Sequence, residues 1–261
     1  MKILITGATA GIGAAAAKTL AKAGHDIIVH GRSEAKCARV VQEIQAQGGS
    51  ARAELAEFSS LMQVRALADR LVEERIDVLV NNAGVWMNHA EETEDGFELT
   101  WQVNYLAPFL LTQRLLPALL ARPAARVINI SSSGHRSGQL HFDDLNLRHR
   151  FNGLVAYCQS KLANVLFTQE LARRTQTSSL ITYALDPGAV QTKLLATTGF
   201  SPPSKSPEES VKLWLEAVLD PQVRAPSGAY FAPTGRVSEP ATRDAGMAER
   251  LWALSVEQVG T

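Results

Sequence analysis

Ile3-Leu4-Ile5-Thr6-Gly7-Ala8-Thr9-Ala10-Gly11-Ile12-Gly13 decides the fold. A short apolar run with a β-branched bias reads as a strand. It breaks at a glycine-rich turn, and the alanine-rich residues 14–22, closed by Gly24, read as a helix. Strand, glycine turn and helix in that order form a phosphate-binding element. Glycines let the backbone approach a pyrophosphate, and the helix N-terminus offers amide donors and the positive end of its dipole. The spacing Gly7-x-x-x-Gly11-x-Gly13 differs from the commoner Gly-x-Gly-x-x-Gly, so its place one strand from the N-terminus carries the assignment. On this reading Gly7, Thr9, Ala10, Gly11, Ile12 and Gly13 line a dinucleotide site.

Outward from this stretch the strand–helix alternation continues. Strands are expected at 27–30, 50–55, 76–80, 126–130, 180–185 and near 229–231. Helices are expected at 34–47, 59–74, 153–174 and 207–219, with one over 95–120 interrupted near Asn104 and Pro108. The polar, histidine-rich 134–152 and the proline-bearing 189–207 read as loops, the second a mobile one that surrounds the substrate. Repeated units of this kind imply a doubly wound parallel sheet with helices on both faces, an α/β Rossmann fold in which residues 1–261 form a single domain. Ligands bind beyond the carboxyl ends of such strands. The motifs at those ends, around Gly7, Asn82-Ala83-Gly84, Ser131-Ser132-Ser133 and Pro187-Gly188, should therefore share one rim.

Composition narrows the function. Twenty-six basic residues balance twenty-six acidic ones, so no electrostatic footprint points to nucleic acid or to a membrane surface. Two cysteines, Cys37 and Cys158, make neither a disulfide framework nor a zinc site, and no signal peptide or membrane-spanning run is seen, so a cytoplasmic location is expected. His135, His141 and His149 lack metal-ligand spacing and are expected on the surface or at a pocket rim. Cys158 is expected to be a buried structural thiol, and Trp86, Met87 and Phe200 to border the cleft.

Within the expected helix 153–174, Tyr157 and Lys161 stand four residues apart and share a face. An ammonium beside a phenol favours the phenolate, which fits a tyrosine that exchanges protons near neutral pH. At the end of the second strand comes Gly31-Arg32-Ser33, where an NAD site would carry a carboxylate. Arginine instead suits a ribose 2′-phosphate, with Ser33 as a further donor and nothing nearby expected to repel the phosphate. NADP(H) is the expected cofactor.

Together, Thr6-Gly7-x-x-x-Gly11-x-Gly13, Asn81-Asn82-Ala83-Gly84, Asn104, a serine after Ile128-Asn129-Ile130, Tyr157-x-x-x-Lys161 and Pro187-Gly188 resemble the short-chain dehydrogenase/reductase family over nearly the whole chain. The run from Ala156 to Ala172 and the segment His141-Phe142-Asp143-Asp144-Leu145 look like its retinol-dehydrogenase-like branch. The N-terminal hydrophobic anchor of that branch's membrane-bound members is not seen. The resemblance implies Tyr157 as general acid/base, Lys161 as its partner and ribose ligand, Ser132 as the substrate-oxygen donor, and Asn104 as a proton relay through an ordered water. It places Glu57 and Phe58 near the adenine, and Pro187, Gly188, Val190 and Thr192 at the nicotinamide end. A homodimer or homotetramer paired through the helices of Asn104 and Tyr157 is implied in the same way. A non-catalytic NADP-binding sensor would need only the phosphate loop, so the set Asn104, Ser132, Tyr157 and Lys161 argues for an oxidoreductase acting on a small lipophilic alcohol or carbonyl. A sugar-nucleotide epimerase would need a larger C-terminal part.

Overall fold

The computed structural model describes residues 1–219 and 225–260; the single-domain expectation also takes in residues 220–224 and 261, which lie outside the described residues. The elements run β1 (Lys2–Ile5), α1 (Gly11–Lys22), β2 (Asp26–Gly31), α2 (Glu34–Gln45), β3 (Ser50–Leu55), α3 (Leu61–Leu71) and β4 (Val78–Asn81). Next come α4 (Leu99–Trp101), a π-helical turn (Gln102–Leu106), α5 (Ala107–Leu120), β5 (Arg126–Ile130), a 3₁₀ turn (Ser133–Ser137) and α6 (Gly153–Arg174). β6 (Ile181–Leu185), α7 (Lys193–Thr198), α8 (Pro207–Leu219), β7 (Tyr230–Phe231), β8 (Val237–Ser238) and α9 (Ala245–Val259) complete the chain.

The strands form one sheet in the order β3-β2-β1-β4-β5-β6-β7-β8, parallel except for the β7–β8 pair. The order reverses beside β1, which creates the crevice where such sheets bind ligands. Ile3, Leu4 and Ile5 are wholly buried, as a strand covered on both faces requires. One apolar layer joins β1 to α1, α2 and α8 through residues such as Leu20, Val40 and Val211. The other packs α3, α5, α6 and α9 around Leu67, Phe109, Leu166 and Trp252.

The interruption expected near Asn104 is the π turn, and Asn104 lies inside it. The helix ahead of it starts at Leu99 rather than near residue 95, because the Glu98 carboxylate accepts the amides of Thr100 (2.8 Å) and Trp101 (2.7 Å) and fixes the N-cap there. Three elements were not foreseen: α7, β8 and α9. The last lies over the helices that carry Asn104 and Tyr157. Its Trp252 ring packs 5.2 Å from Phe109 and 5.9 Å from Phe167, and Ser255 hydrogen-bonds the buried Tyr105 hydroxyl at 2.6 Å.

Candidate active site

The glycine turn is braced from below. Gly7 adopts φ +64, and a Cβ there would lie 2.8 Å from the Ala83 Cα, so only glycine closes the turn onto the end of β4. Asn82 completes the brace: its Nδ2 donates to the carbonyls of Thr6 (2.9 Å) and Gly7 (3.3 Å), while the Thr6 hydroxyl accepts the amides of Asn82 (2.9 Å) and Ala83 (3.0 Å). Beyond the turn, α1 begins behind Ala10, which supplies no side-chain cap, and its first turn has no acidic residue. The leading amides of α1 therefore lack a side-chain acceptor and face the cleft beside Gly11 and Ile12, as an anion site at a helix N-terminus requires.

The cleft has a volume of about 750 Å³ and runs over the carboxyl ends of the strands. It brings together the expected Gly7, Thr9, Ala10, Gly11, Ile12, Gly13, Arg32, Glu57, Phe58, Asn82, Ala83 and Gly84 with Ser132, Tyr157, Lys161, Pro187, Gly188, Val190 and Thr192. Ser33 and Asn104 do not line it. Ser33 caps the start of α2 with its backbone. Asn104 is buried just below Gly84; its Oδ1 accepts the Val85 amide at 2.7 Å, and its Nδ2 donates to the Val85 carbonyl (3.0 Å) and the Ser160 hydroxyl (3.1 Å).

Three serines end β5, and each has a different environment. Ser131 is buried, with its hydroxyl donating to the Lys161 carbonyl at 2.9 Å, and Ser133 is exposed. Ser132 accepts the Gly134 amide at 3.2 Å, and its hydroxyl shares the cleft with the Tyr157 phenol. Lys161 donates to the Ile130 carbonyl at 3.0 Å with its Nζ 5.3 Å from the Tyr157 ring centroid. Burial pulls the Lys161 pKa down to about 8, against the charge of Asp186. Burial likewise pushes the Tyr157 phenol up to about 12, with the nearby Ser132 hydroxyl pulling the other way. This corrects the expectation that the Lys161 ammonium makes Tyr157 unusually acidic. The ammonium is aimed at the Ile130 carbonyl rather than at the phenol oxygen, and desolvation of the phenolate prevails.

Two other expectations change. Glu57 brings a carboxylate to the outer end of the cleft, 3.2 Å from the largely exposed Arg32 guanidinium, so the arginine already has an anionic partner. His135 is not on the surface: it is wholly buried, accepting the Ala241 amide on Nε2 (3.1 Å) and donating from Nδ1 to the Ser132 carbonyl (2.6 Å). His141 is half-buried and His149 exposed. Cys158 is buried, its thiol pKa raised by burial. Trp86 and Phe200 border the cleft and Met87 does not.

Sequence reasoning missed His30. This buried histidine is the next-to-last residue of β2 and stacks on Phe58 with ring centroids 4.5 Å apart. Its Nδ1 accepts the Gly7 amide (3.3 Å), so the proton sits on Nε2 and donates to the Ala56 carbonyl (3.2 Å). The signal was available: a polar residue closing an apolar strand beside the glycine turn. Asp186 was also missed as a polar anchor. Buried at the end of β6, it accepts the Gly188 amide (2.8 Å) and the Tyr230 hydroxyl (3.1 Å), which fixes the Pro187-Gly188 turn.

A family model for short chain dehydrogenases matches residues 1–200. The chain belongs to that family. Human retinol dehydrogenase 13 is 37% identical over 278 residues, covering 99% of this chain and 84% of that protein. This places the short chain dehydrogenase described here in a retinol-dehydrogenase-like group. An uncharacterized protein from Mycobacterium paratuberculosis superposes with a TM-score of 0.83 at 34% identity, over 100% of this chain and 93% of the other. A short-chain dehydrogenase from Sphingobium yanoikuyae in complex with NADPH gives 0.70 at 25% identity, over 82% of each chain. The family's chemistry is oxidoreduction between alcohols and carbonyls with a nicotinamide cofactor. The cradle fits such a group: a Cβ on Gly13 would stand 2.5 Å from the Gly7 carbonyl oxygen, so the turn is shaped by backbone and leaves the α1 amides open. No helix among the described residues is long and apolar enough to cross a membrane.

Proposed function

We propose that this chain is an NADP(H)-dependent oxidoreductase that interconverts an alcohol and its ketone or aldehyde on a small, lipophilic substrate. The observation that carries this reading is the Tyr157 phenol, which shares an apolar-walled cleft with the Ser132 hydroxyl and has the Lys161 ammonium 5.3 Å from its ring. When bound, the nicotinamide supplies or accepts the hydride. The protein's own groups handle the oxygen and the proton. Ser132 donates a hydrogen bond to the substrate oxygen as charge gathers there. Tyr157 passes its phenolic proton to that oxygen in reduction and takes it back in oxidation. The transient phenolate lies near Lys161, whose pKa of about 8 keeps it cationic at neutral pH. Asn104, whose side chain is held by the Val85 backbone, relays protons through an ordered water.

Gly7, Thr9, Ala10, Gly11, Ile12 and Gly13 hold the pyrophosphate. Arg32 takes the ribose phosphate, with Ser33 just outside the cleft lining as a second donor, and Glu57 and Phe58 lie beside the adenine. Asn82, Ala83 and Gly84 back the site, and Pro187, Gly188, Val190 and Thr192 bound the nicotinamide end, with residues 189–207 over the substrate. Leu154, Leu194 and Leu195 give the substrate end its apolar character. Two buried cysteines without a bridge fit a cytoplasmic location. A homodimer or homotetramer is proposed, and a pair formed through the helices of Asn104 and Tyr157 would include α9. The test is a screen of carbonyls and alcohols with NADPH, NADH and their oxidised forms. Cofactor-dependent turnover of a carbonyl is expected, with NADPH preferred. Tight cofactor binding without turnover of any compound would turn the reading to a sensor.

A further inference from the structure

Ser132 is held at both its polar groups by the turn that follows it. Its hydroxyl accepts the Gly134 amide at 3.2 Å, which leaves the hydroxyl hydrogen available to donate. Its carbonyl accepts two donors from one residue, the backbone amide of His135 at 3.0 Å and the His135 Nδ1–H at 2.6 Å. His135 is wholly buried and stands outside the cleft lining. Its other ring nitrogen, Nε2, accepts the Ala241 amide at 3.1 Å. That acceptor role requires a neutral imidazole, and burial lowers the His135 pKa accordingly.

The same ring continues the contacts toward the Pro187-Gly188 turn. It packs 4.6 Å from the Tyr230 ring at 49°, and the buried Tyr230 hydroxyl donates to Asp186 Oδ2 at 3.1 Å. Asp186 Oδ1 in turn accepts the Gly188 amide at 2.8 Å. His135, Tyr230 and Asp186 thus join the end of β5 to the end of β6 from behind, and none of the three lines the cleft. The segment 239–242 closes the assembly: Arg136 donates to the Glu239 carbonyl at 2.7 Å, and Gln169 of α6 donates to the Thr242 carbonyl at 3.0 Å. Every polar side-chain atom of His135, Tyr230 and Asp186 has a partner, and a buried network satisfied in this way is rigid.

We propose that His135 is a positioning residue for the reaction, which through Tyr230 and Asp186 holds the Ser132 hydroxyl and the Pro187-Gly188 turn in one fixed relation; the proposal rests on the oxidoreductase reading above. Ser132 meets the substrate oxygen and the turn bounds the nicotinamide, so the two frame the line along which hydride moves. A donor aimed at developing charge is most effective when it is already in place. A displacement of about 1 Å can cost about 10²-fold in rate. A single 3₁₀ turn has poor hydrogen-bond geometry of its own, and the imidazole supplies the further anchor that Ser132 needs.

The experiment uses the full chain with NADPH and the most rapidly reduced aldehyde of the screen above. His135→Phe keeps a ring against Tyr230 and removes both side-chain hydrogen bonds. It should lower kcat about 10- to 100-fold, with KM and NADPH affinity nearly unchanged. His135→Asn, whose amide can donate to the Ser132 carbonyl in place of Nδ1, should recover much of the loss. A role exerted through Ser132 also predicts non-additivity: in a Ser132→Ala background, His135→Phe should cost less than about twofold more. Full multiplication of the two losses would mark His135 as packing alone and overturn the proposal. Tyr230→Phe should lower kcat about three- to tenfold, as loss of one hydrogen bond implies, and an unchanged kcat would detach the Pro187-Gly188 turn from the assembly. In the cofactor-free protein, His135→Phe should speed hydrogen exchange of the Ala241 amide about three- to tenfold and leave α1 unchanged. Equal acceleration in α1 would mean a general loosening of the fold and would overturn the role. No reduction of any aldehyde by the wild type, with NADPH bound, would overturn the oxidoreductase reading and this role with it; an undiminished kcat in His135→Phe would overturn the role alone.

Discussion

The floor and the roof of the cleft are built by opposite means. On the floor, backbone meets backbone: Gly7 closes on Ala83, Asn82 ties two carbonyls, Ser131 ties Lys161, and the groups involved are buried or half-buried. On the roof, a six-residue helix without a fully buried side chain is linked across the cleft through Asn88. A floor of this kind tolerates few residue types, whereas a roof of this kind tolerates many. Chemistry common to the family therefore resides below the ligand, and substrate choice above it.

The largest effect is expected where the floor does chemistry. Tyr157→Phe keeps the ring against Trp86 and removes only the proton-transferring hydroxyl. Turnover should fall about 10²–10⁴-fold, the usual worth of a positioned acid/base. Cofactor affinity, read by titration of intrinsic fluorescence, should be unchanged. Retained turnover of a genuine substrate would dissociate the floor from the reaction and undo the contrast.

The next prediction asks whether the floor's rigidity depends on a neutral His30. Its pKa is lowered from 6.5 to about 4, first by burial, against the Ala56 hydrogen bond and the charges of Glu57 and Glu54; Arg70 adds to the lowering. The unfolded chain therefore takes up a proton between about pH 6.5 and 4 that the folded chain refuses, and stability falls as pH drops through that window. A shift of this size amounts to about 3 kcal/mol. Denaturant unfolding at pH 7 and at pH 4 should show His30→Gln losing about that much less stability than wild type. Parallel losses would mean that His30 does not govern the acid response.

What could be foreseen follows the same division. Gly7, Asn82, Tyr157 and Lys161 are legible because the chemistry and the tight backbone approach demand those residue types. The rise in the Tyr157 pKa was not legible, since it comes from burial and from the direction of the Lys161 ammonium, which only the packed β5–α6 contact determines. Nor was the Arg32–Glu57 pair, which depends on β2 and β3 running in register with Gly31 opposite Leu55. α9 did leave a trace: Asp244 accepts the Met247 amide as an N-cap, and Ala248, Leu251, Trp252 and Val259 share a buried face. What the pattern could not say is that this face lies over the helices bearing Asn104 and Tyr157.

The outer end of the floor is the place where the contrast weakens. Arg32 is 75% exposed on its side chain, and a solvated pair like Arg32–Glu57 contributes little stability. Its importance is as a competition for the guanidinium. Arg32→Ala should lower NADPH affinity about tenfold, near the low end for a charge-assisted hydrogen bond, and leave NADH almost unaffected.

The smallest effect is predicted for Glu57→Gln, and it discriminates best. In the wild type a bound 2′-phosphate must share Arg32 with the Glu57 carboxylate 3.2 Å away, and the two anions repel each other. Replacing the carboxylate by an amide frees the fork and removes the repulsion, while the neighbouring Gly7 turn and His30 stay in place. An exposed charge contact of this sort is worth roughly 0.2–1 kcal/mol, so the NADPH-to-NADH affinity ratio should rise only about two- to fivefold. The rise should shrink as salt is added, because screening already weakens the repulsion that the substitution removes. Paired titrations with the two reduced cofactors at low and high ionic strength measure both features. A fall in the ratio would mean that Glu57 holds Arg32 in its phosphate-binding position rather than competing for it, and the outer end would then belong with the braced floor.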